Sequence, residues 1–390
     1  MTSGPSPSEA EAAAARFVSH VRFHKSFTLP ATTEHEALDV SYADVGLVPE
    51  PGDANSSHPT VLFMPGMFAS RYLAVGIHTI AERLGVRVLV VDRPGMGKST
   101  DVPLHQRVPV WIELVPLLLA HLGIAHVSLA SHSAGTIYLL NTLHHCRDLL
   151  HPEKPFVALL SPWVDPAHSH QISMKMLQYI PVSAFSIWHL IPKFFVLTAG
   201  PALASSGAVV TKVSNAVSSG GIGGGSDTSE LEENRQRVAR TYRLTREDQA
   251  AIDAHVFRVM FEENTVGANS EALQCLRKGK DWSWGKCENY SVFVNDLVDR
   301  ERNRRQVGEN TDGSGKLKVR IYFAETDALS GKQGQAYMER CWKGKDDEDF
   351  QDVLDFEAST VFGADHDSTM QSVAVLEKVF VDAGGVLRGD

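Results

Sequence analysis

Cysteine is scarce in this sequence, with four in 390 residues, at positions 146, 275, 287 and 341. No two of them form a C-x-x-C pair or a disulfide framework, so a reducing, cytoplasmic setting is expected. Basic charge is also short, with 37 Lys and Arg against 47 Asp and Glu. That net charge of −10 argues against nucleic acid or an anionic membrane as the main partner. The 17 histidines include no H-E-x-x-H or Cys/His ligand spacing, so no metal site is expected. The N-terminus, Met1–Ala15, has neither the basic nor the apolar segment of a secretory signal. Residues 1–22 therefore read as a mobile tail. No apolar run suits a stable membrane span either: the longest, Gln178–Thr198, contains Pro181, His189, Pro192 and Lys193. It reads as a buried or cleft-lining segment.

The remaining composition, 43% apolar and 22% charged, is that of an ordinary globular enzyme. The length allows one large α/β domain carrying an insertion, or two domains. Phe23–Ala31 and Ala37–Val45 predict two antiparallel strands, and Pro49–Pro59 a turn. Val61–Met64, Val86–Val91, Val127–Ala130 and Phe156–Leu160 are short, fully apolar runs typical of strands covered on both faces. Helical patterns separate them. One opens at Ser70 and closes at Gly85; another runs from about Val110 to Leu122, interrupted by Pro116. A third follows Gly135 and continues to His151-Pro152. This alternation predicts a doubly wound, mostly parallel sheet. After Asp165 no buried strand is evident until Leu317–Phe323, and Thr245 with Asp248 forms a capping box within that interval. Ser205–Asp227, rich in Ser and Gly, reads as a flexible loop, Asn303–Gly315 as a polar loop and Lys343–Asp352 as a charged surface turn. A helix around Gly334–Trp342, a strand Val353–Ala358 and a last helix through Val373 and Phe380 complete the chain.

The chemistry centres on Ser131-His132-Ser133-Ala134-Gly135, where a strand turns sharply into a helix. A serine at such an elbow is held above the strand end, and the helix that follows favours negative charge at its start. Small residues are required two before and two after the nucleophile, and Ser131 and Gly135 occupy those places. A serine hydroxyl is a poor nucleophile until an imidazole takes its proton, and that imidazole needs a carboxylate. His366 in Gly363–Ser368 and Asp327 in Ala324–Asp327 each follow a predicted parallel strand, at the sheet edge where clefts form. Asp165, after Phe156–Leu160, is a second candidate acid. The segment Gly97-Lys98-Ser99 resembles a phosphate loop, but Asp92 stands where that motif needs its first glycine, so nucleotide binding is not expected.

Taken together these motifs resemble the α/β-hydrolase family, over about Phe23–Asp165 and Leu317–Phe380. Met64-Pro65-Gly66-Met67 is similar to the family's His-Gly oxyanion loop, with Met in place of His. Asp92–Ser99 is similar to its D-x-P-G-x-G-x-S turn, and the order Ser133, Asp327, His366 matches its triad. The resemblance implies an eight-stranded sheet with a helical cap inserted after strand 6. The core would then comprise 23–165 and 316–390, and the cap 166–315. It implies oxyanion donors at the amides of Met67 and Ala134, and no cofactor. The expected activity is hydrolysis of a carboxylic ester, lipid ester, thioester or lactone through an acyl-enzyme. Acyl transfer, C–C hydrolysis or a non-catalytic ligand receptor are the alternatives on the same scaffold. Phe68, His132, Trp163, Phe185 and Trp188 are the candidate substrate contacts; the aromatic residues of the insertion, with Phe194 and Phe195, read equally as contacts for a small molecule bearing an apolar acyl or alcohol group or as a cap core packed against the main domain. Trp282 and Trp284 could line a cleft or pin the cap. The sequence sets no oligomeric state.

Overall fold

The computed structural model describes residues 8–49, 58–191, 228–306, 315–344 and 350–387. Among them, eight strands form one sheet: β1 Lys25–Leu29, β2 Leu38–Gly46, β3 Thr60–Met64, β4 Arg87–Val91, β5 Ser128–Ser133, β6 Phe156–Pro162, β7 Leu317–Thr326 and β8 Leu354–Asp365. Their order is β1-β2-β4-β3-β5-β6-β7-β8. β2 runs antiparallel to β1 and β4, and every other pairing is parallel. The fully apolar runs follow from the layering, because helices cover both faces of the sheet. Leu62, Met64, Leu89 and Val91 point into one core, and Val61, Phe63, Val88 and Val90 into the other.

Among the described residues the α-helices before β7 are α1 Glu9–Val18, α2 Leu73–Arg83, α3 Arg107–His121, α4 Gly135–His145, α5 Pro166–Ser169, α6 Ile172–Leu177, α7 Thr228–Tyr242, α8 Arg246–Glu262, α9 Gly267–Cys275 and α10 Tyr290–Gln306. α11 Gly331–Lys343 and α12 Val373–Asp382 follow. α5 to α10 make a helical insertion between β6 and β7, with no strand among its described residues. No described helix is long and apolar enough to cross a membrane. α8 begins at the expected capping box, with Thr245 Oγ1 accepting from the Asp248 amide at 3.1 Å.

Several expectations are corrected. Residues 9–18 are a helix, not a tail. Ser8 caps it, and its buried Ala14 and Val18 pack it against α8. α3 runs unbroken through Pro116, which removes one amide donor without ending the helix. α4 stops at His145 rather than at His151-Pro152. A short turn, Arg147–Leu149, follows, because Arg147 is drawn to Glu301 at 2.6 Å and the Leu149 carbonyl accepts from the Val127 amide at 2.7 Å. Ser70 does not cap α2, which begins at Leu73; the carboxylate of Asp92 reaches the Arg71 amide instead, at 2.5 Å. β8 continues past Ala358 to Asp365, since β7 offers a partner along that length. The Ser205–Asp227 loop, Phe194 and Phe195 lie outside the described residues, as do parts of the 49–59, 303–315 and 343–352 segments.

Candidate active site

Every parallel strand ends on the same edge, and the chemistry-bearing residues collect there. Ser133 is the last residue of β5 and has φ +50°, a left-handed conformation that non-glycine residues seldom adopt. That backbone turns the chain directly into α4. A Cβ at Gly135 would lie 2.1 Å from the Met64 carbonyl, so only glycine fits where helix and strand cross.

Asp327 and His366 meet through strand pairing. The register of β7 and β8 shifts between Ala324 and Thr326, bringing Thr326 opposite Asp365. The next residue on each strand is then Asp327 and His366. His366 Nδ1 lies 3.0 Å from Asp327 Oδ2, and its Nε2 lies 2.8 Å from Ser133 Oγ. All three residues are buried, at 7% exposure for Ser133, 3% for His366 and 9% for Asp327. Asp327 Oδ1 also accepts the amides of Leu329 and Ser330, both at 2.9 Å. Burial alone would raise the Asp327 pKa, but the charge and hydrogen bond of His366, with those two amides, hold it below the ordinary value. Burial likewise opposes protonation of His366, and Asp327 overrides it, pushing the imidazole up to about 9.

Asp165, the other candidate acid, is engaged elsewhere. It caps α5 by accepting the Ala167 amide at 2.8 Å and pairs with Arg277 at 3.0 Å.

The Pro65–Phe68 loop at the end of β3 lies against the elbow. A Cβ on Gly66 would stand 2.8 Å from His132 Nδ1 and 3.5 Å from the Cβ of Ser133. Met67 and Phe68 follow, both half-buried. Ala134 sits at the start of α4, where the first amides have no acceptor within the helix. An anion beside Ser133 would therefore meet amides at a helix start on one side and this loop on the other.

His132 is buried, and its Nε2 pairs with the His366 carbonyl at 2.9 Å. Burial, and then the charge of His366, lower its pKa to about 3, so it stays neutral. His132, His366 and Asp367 bring three potential metal-ligand atoms within 4.8 Å of one another. Both His366 nitrogens already serve Ser133 and Asp327, and His132 Nε2 faces a carbonyl; the cluster is a hydrogen-bond network.

Trp163 is tied to the elbow through its main chain. Its amide donates to the Ser133 carbonyl at 3.2 Å, and its indole to the Cys275 carbonyl, also at 3.2 Å. Phe185 and Trp188 pack on each other with ring centroids 5.3 Å apart. Among the described residues, no hydrogen bond or ring contact joins either to the triad. The Trp284 side chain packs within the insertion, its indole donating to the Gln274 carbonyl at 2.7 Å and its ring stacking on Tyr290, while its carbonyl accepts from Asn141 Nδ2 of α4 at 2.8 Å.

Sequence reasoning missed the buried charges beside the loop. Arg93, read only as part of the turn after β4, donates to the carbonyls of Pro65 and Gly66. Glu271, on α9, meets Arg107, Arg93 and the Tyr138 hydroxyl. Nothing in its local sequence marks it, since its partners lie more than a hundred residues away.

Strand order, the elbow after β5 and the residues placed at the ends of β7 and β8 are those of the α/β-hydrolase fold. No protein-family model and no curated protein matches the chain. Solved structures of similar shape include a thermophilic esterase from Thermogutta terrifontis, at 13% identity and TM-score 0.48, with 91% of this chain and 96% of that one covered. The thioesterase domain from the curacin biosynthetic pathway aligns at 10% identity and TM-score 0.46, covering 92% and 99%. The haloalkane dehalogenase DpaA from Paraglaciecola agarilytica NO2 aligns at 13% identity and TM-score 0.49, covering 93% and 95%.

Proposed function

We propose that this chain is a serine hydrolase cleaving an ester-like bond, with Ser133, His366 and Asp327 as its triad. The observation that carries this reading is the continuous hydrogen-bonded chain from Ser133 Oγ through both His366 nitrogens to Asp327. Ser133 Oγ bonds to the substrate carbonyl carbon while its proton passes to His366 Nε2, and Asp327 fixes the tautomer and balances the imidazolium. The amides of Ala134 and Met67 hold the oxyanion. His366 then returns the proton to the leaving alcohol oxygen. In the second half, water gives its proton to His366 and attacks the acyl carbon, and Ser133 is regenerated by the reverse transfer.

Position 133 is serine, which favours an acyl-enzyme over the ester intermediate that an aspartate nucleophile would form. The aromatic and aliphatic residues of the insertion favour an apolar acyl group, and residues 166–315 are proposed as the cap over the cleft. The experiment is turnover of p-nitrophenyl esters of increasing acyl length by wild type and Ser133→Ala in parallel. Turnover that disappears in Ser133→Ala supports the reading. A wild type that hydrolyses none of them yet binds an ester analogue would instead make the protein a receptor on this scaffold.

A further inference from the structure

The Pro65–Phe68 loop carries one of the two oxyanion donors, and a donor is useful only if its N–H direction is fixed before the charge develops. The loop does not lie within a strand or a helix. Arg93 supplies the missing restraint. Its guanidinium is 1% exposed and donates through Nη1 to the Pro65 carbonyl and through Nη2 to the Gly66 carbonyl, the latter at 2.7 Å. The Gly66 carbonyl belongs to the same planar peptide unit as the Met67 amide. Holding that oxygen therefore sets the direction of the Met67 N–H on the opposite side. A cationic donor on the carbonyl also polarises the unit and makes its N–H a stronger donor.

The charge on Arg93 is balanced from the insertion. Glu271 on α9 is fully buried and lies 3.4 Å from Arg93 Nε and 2.6 Å from Arg107 Nη2. Burial alone would raise its pKa, but Arg93 and Arg107 hold it below the ordinary value, so the carboxylate stays charged. The Tyr138 ring, from α4, stands 5.0 Å from the Arg93 guanidinium and closes the remaining side. The guanidinium is thus gripped by groups from the insertion and from the helix that follows the nucleophile.

We infer that Arg93 is a positioning residue that aims the Met67 amide at the oxyanion, and that Glu271 holds Arg93 in place from the insertion. The inference rests on the reading of Ser133 as the nucleophile. A second link between insertion and core provides the control, since Arg71 bonds Glu263, at the end of α8, at 2.7 and 2.8 Å without touching the loop.

The test compares wild type, Arg93→Lys, Glu271→Gln and Glu263→Gln. Each is assayed for p-nitrophenyl ester turnover, inhibition by a trifluoromethyl ketone, and thermal unfolding. Lysine keeps the charge but loses the rigid two-pronged guanidinium that fixes both carbonyl directions, so Arg93→Lys should lower kcat by about tenfold or more, the order of loss expected when an oxyanion donor is misaimed. KM should stay within about twofold, because the lost interaction forms only in the transition state. Affinity for the ketone, which forms a tetrahedral adduct, should fall by the same factor as kcat. Glu271→Gln should show the same pattern to a smaller degree, and it decides the matter if Arg93→Lys does not fold. Glu263→Gln should lower the unfolding temperature and leave kcat and ketone affinity unchanged. An active wild type whose Glu271→Gln and folded Arg93→Lys forms keep full kcat, or lose activity only through KM, overturns the Arg93 role alone. A wild type with no turnover and no fluorophosphonate capture at Ser133 overturns the triad, and the Arg93 role with it.

Discussion

His366 Nε2 lies 2.8 Å from Ser133 Oγ, although 233 positions separate the two residues in the chain. The distance is within the range of a hydrogen bond to a hydroxyl, so the proton has a direct path to the imidazole. It also ties the carboxyl ends of β5 and β8 together, with the ends of β6 and β7 between them. From this contact the expected consequences of substitution follow.

Ser133 should be the serine that a fluorophosphonate probe modifies. Ser131 is also buried and close in sequence, but its hydroxyl has no partner to take the proton. Peptide mapping should find the label on Ser133 and none in Ser133→Ala. Label on Ser131, or undiminished labelling of the variant, would refute the assignment.

Asp327→Asn should cripple turnover with the fold intact. Loss of the carboxylate removes both orientation and charge balance, a change worth about 10⁴ in kcat in the serine-protease case. Asp165→Asn should leave kcat nearly unchanged, because asparagine caps a helix about as well as aspartate and only the ion pair to Arg277 is lost. Kinetics and circular dichroism on both variants check this. A larger kcat loss in Asp165→Asn would mean that the wrong acid is assigned.

The pH profile should carry the signature of the buried pair. In the proposed mechanism only neutral His366 accepts the Ser133 proton, and Asp327 raises its pKa to about 9 against the effect of burial. Activity should therefore rise with pH, with the acid limb of kcat/KM above 6.5, the ordinary imidazole value. In Asp327→Asn the raising charge is gone and burial remains, so the limb of the residual activity should move to lower pH. A wild-type limb at or below 6.5 would contradict the geometry.

Gly135→Ala should destabilise the protein by about 1–3 kcal/mol or prevent folding, since the added methyl has no space against the Met64 carbonyl. Chemical denaturation reads this directly. Unchanged stability would show that helix and strand are farther apart at the elbow than the structure places them.

Deleting residues 1–19 should lower the unfolding temperature by a few degrees, from about 2 kcal/mol of lost apolar burial at Ala14 and Val18. Ester turnover should stay within about twofold, because α1 packs on α8 and not on the triad. A differential scan that leaves the transition unmoved would return this segment to the role of a tail.

What the sequence by itself determined is what local chemistry controls. The short apolar runs at Val61–Met64, Val86–Val91 and Phe156–Leu160 marked strands covered on both faces, because a half-exposed strand would alternate. The small residues around Ser133 marked the elbow, because steric crowding there admits little else, and Thr245 with Asp248 marked a helix start. Tertiary structure alone decided the rest. The sequence favoured Asp327 over Asp165 as the partner of His366, but their contact itself comes from the register shift between β7 and β8, which sets side chains by their position across a sheet and not along the chain. α1 looked like a tail because its apolar positions are mostly alanine, and only the surface of α8 gives them something to bury against. The Arg93–Glu271 cluster was illegible because a buried ion pair is stable only where both partners are desolvated together. No local pattern records that two residues 178 positions apart will share one dry pocket, and only the packing of the insertion against the Asp92–Ser99 turn brings them there.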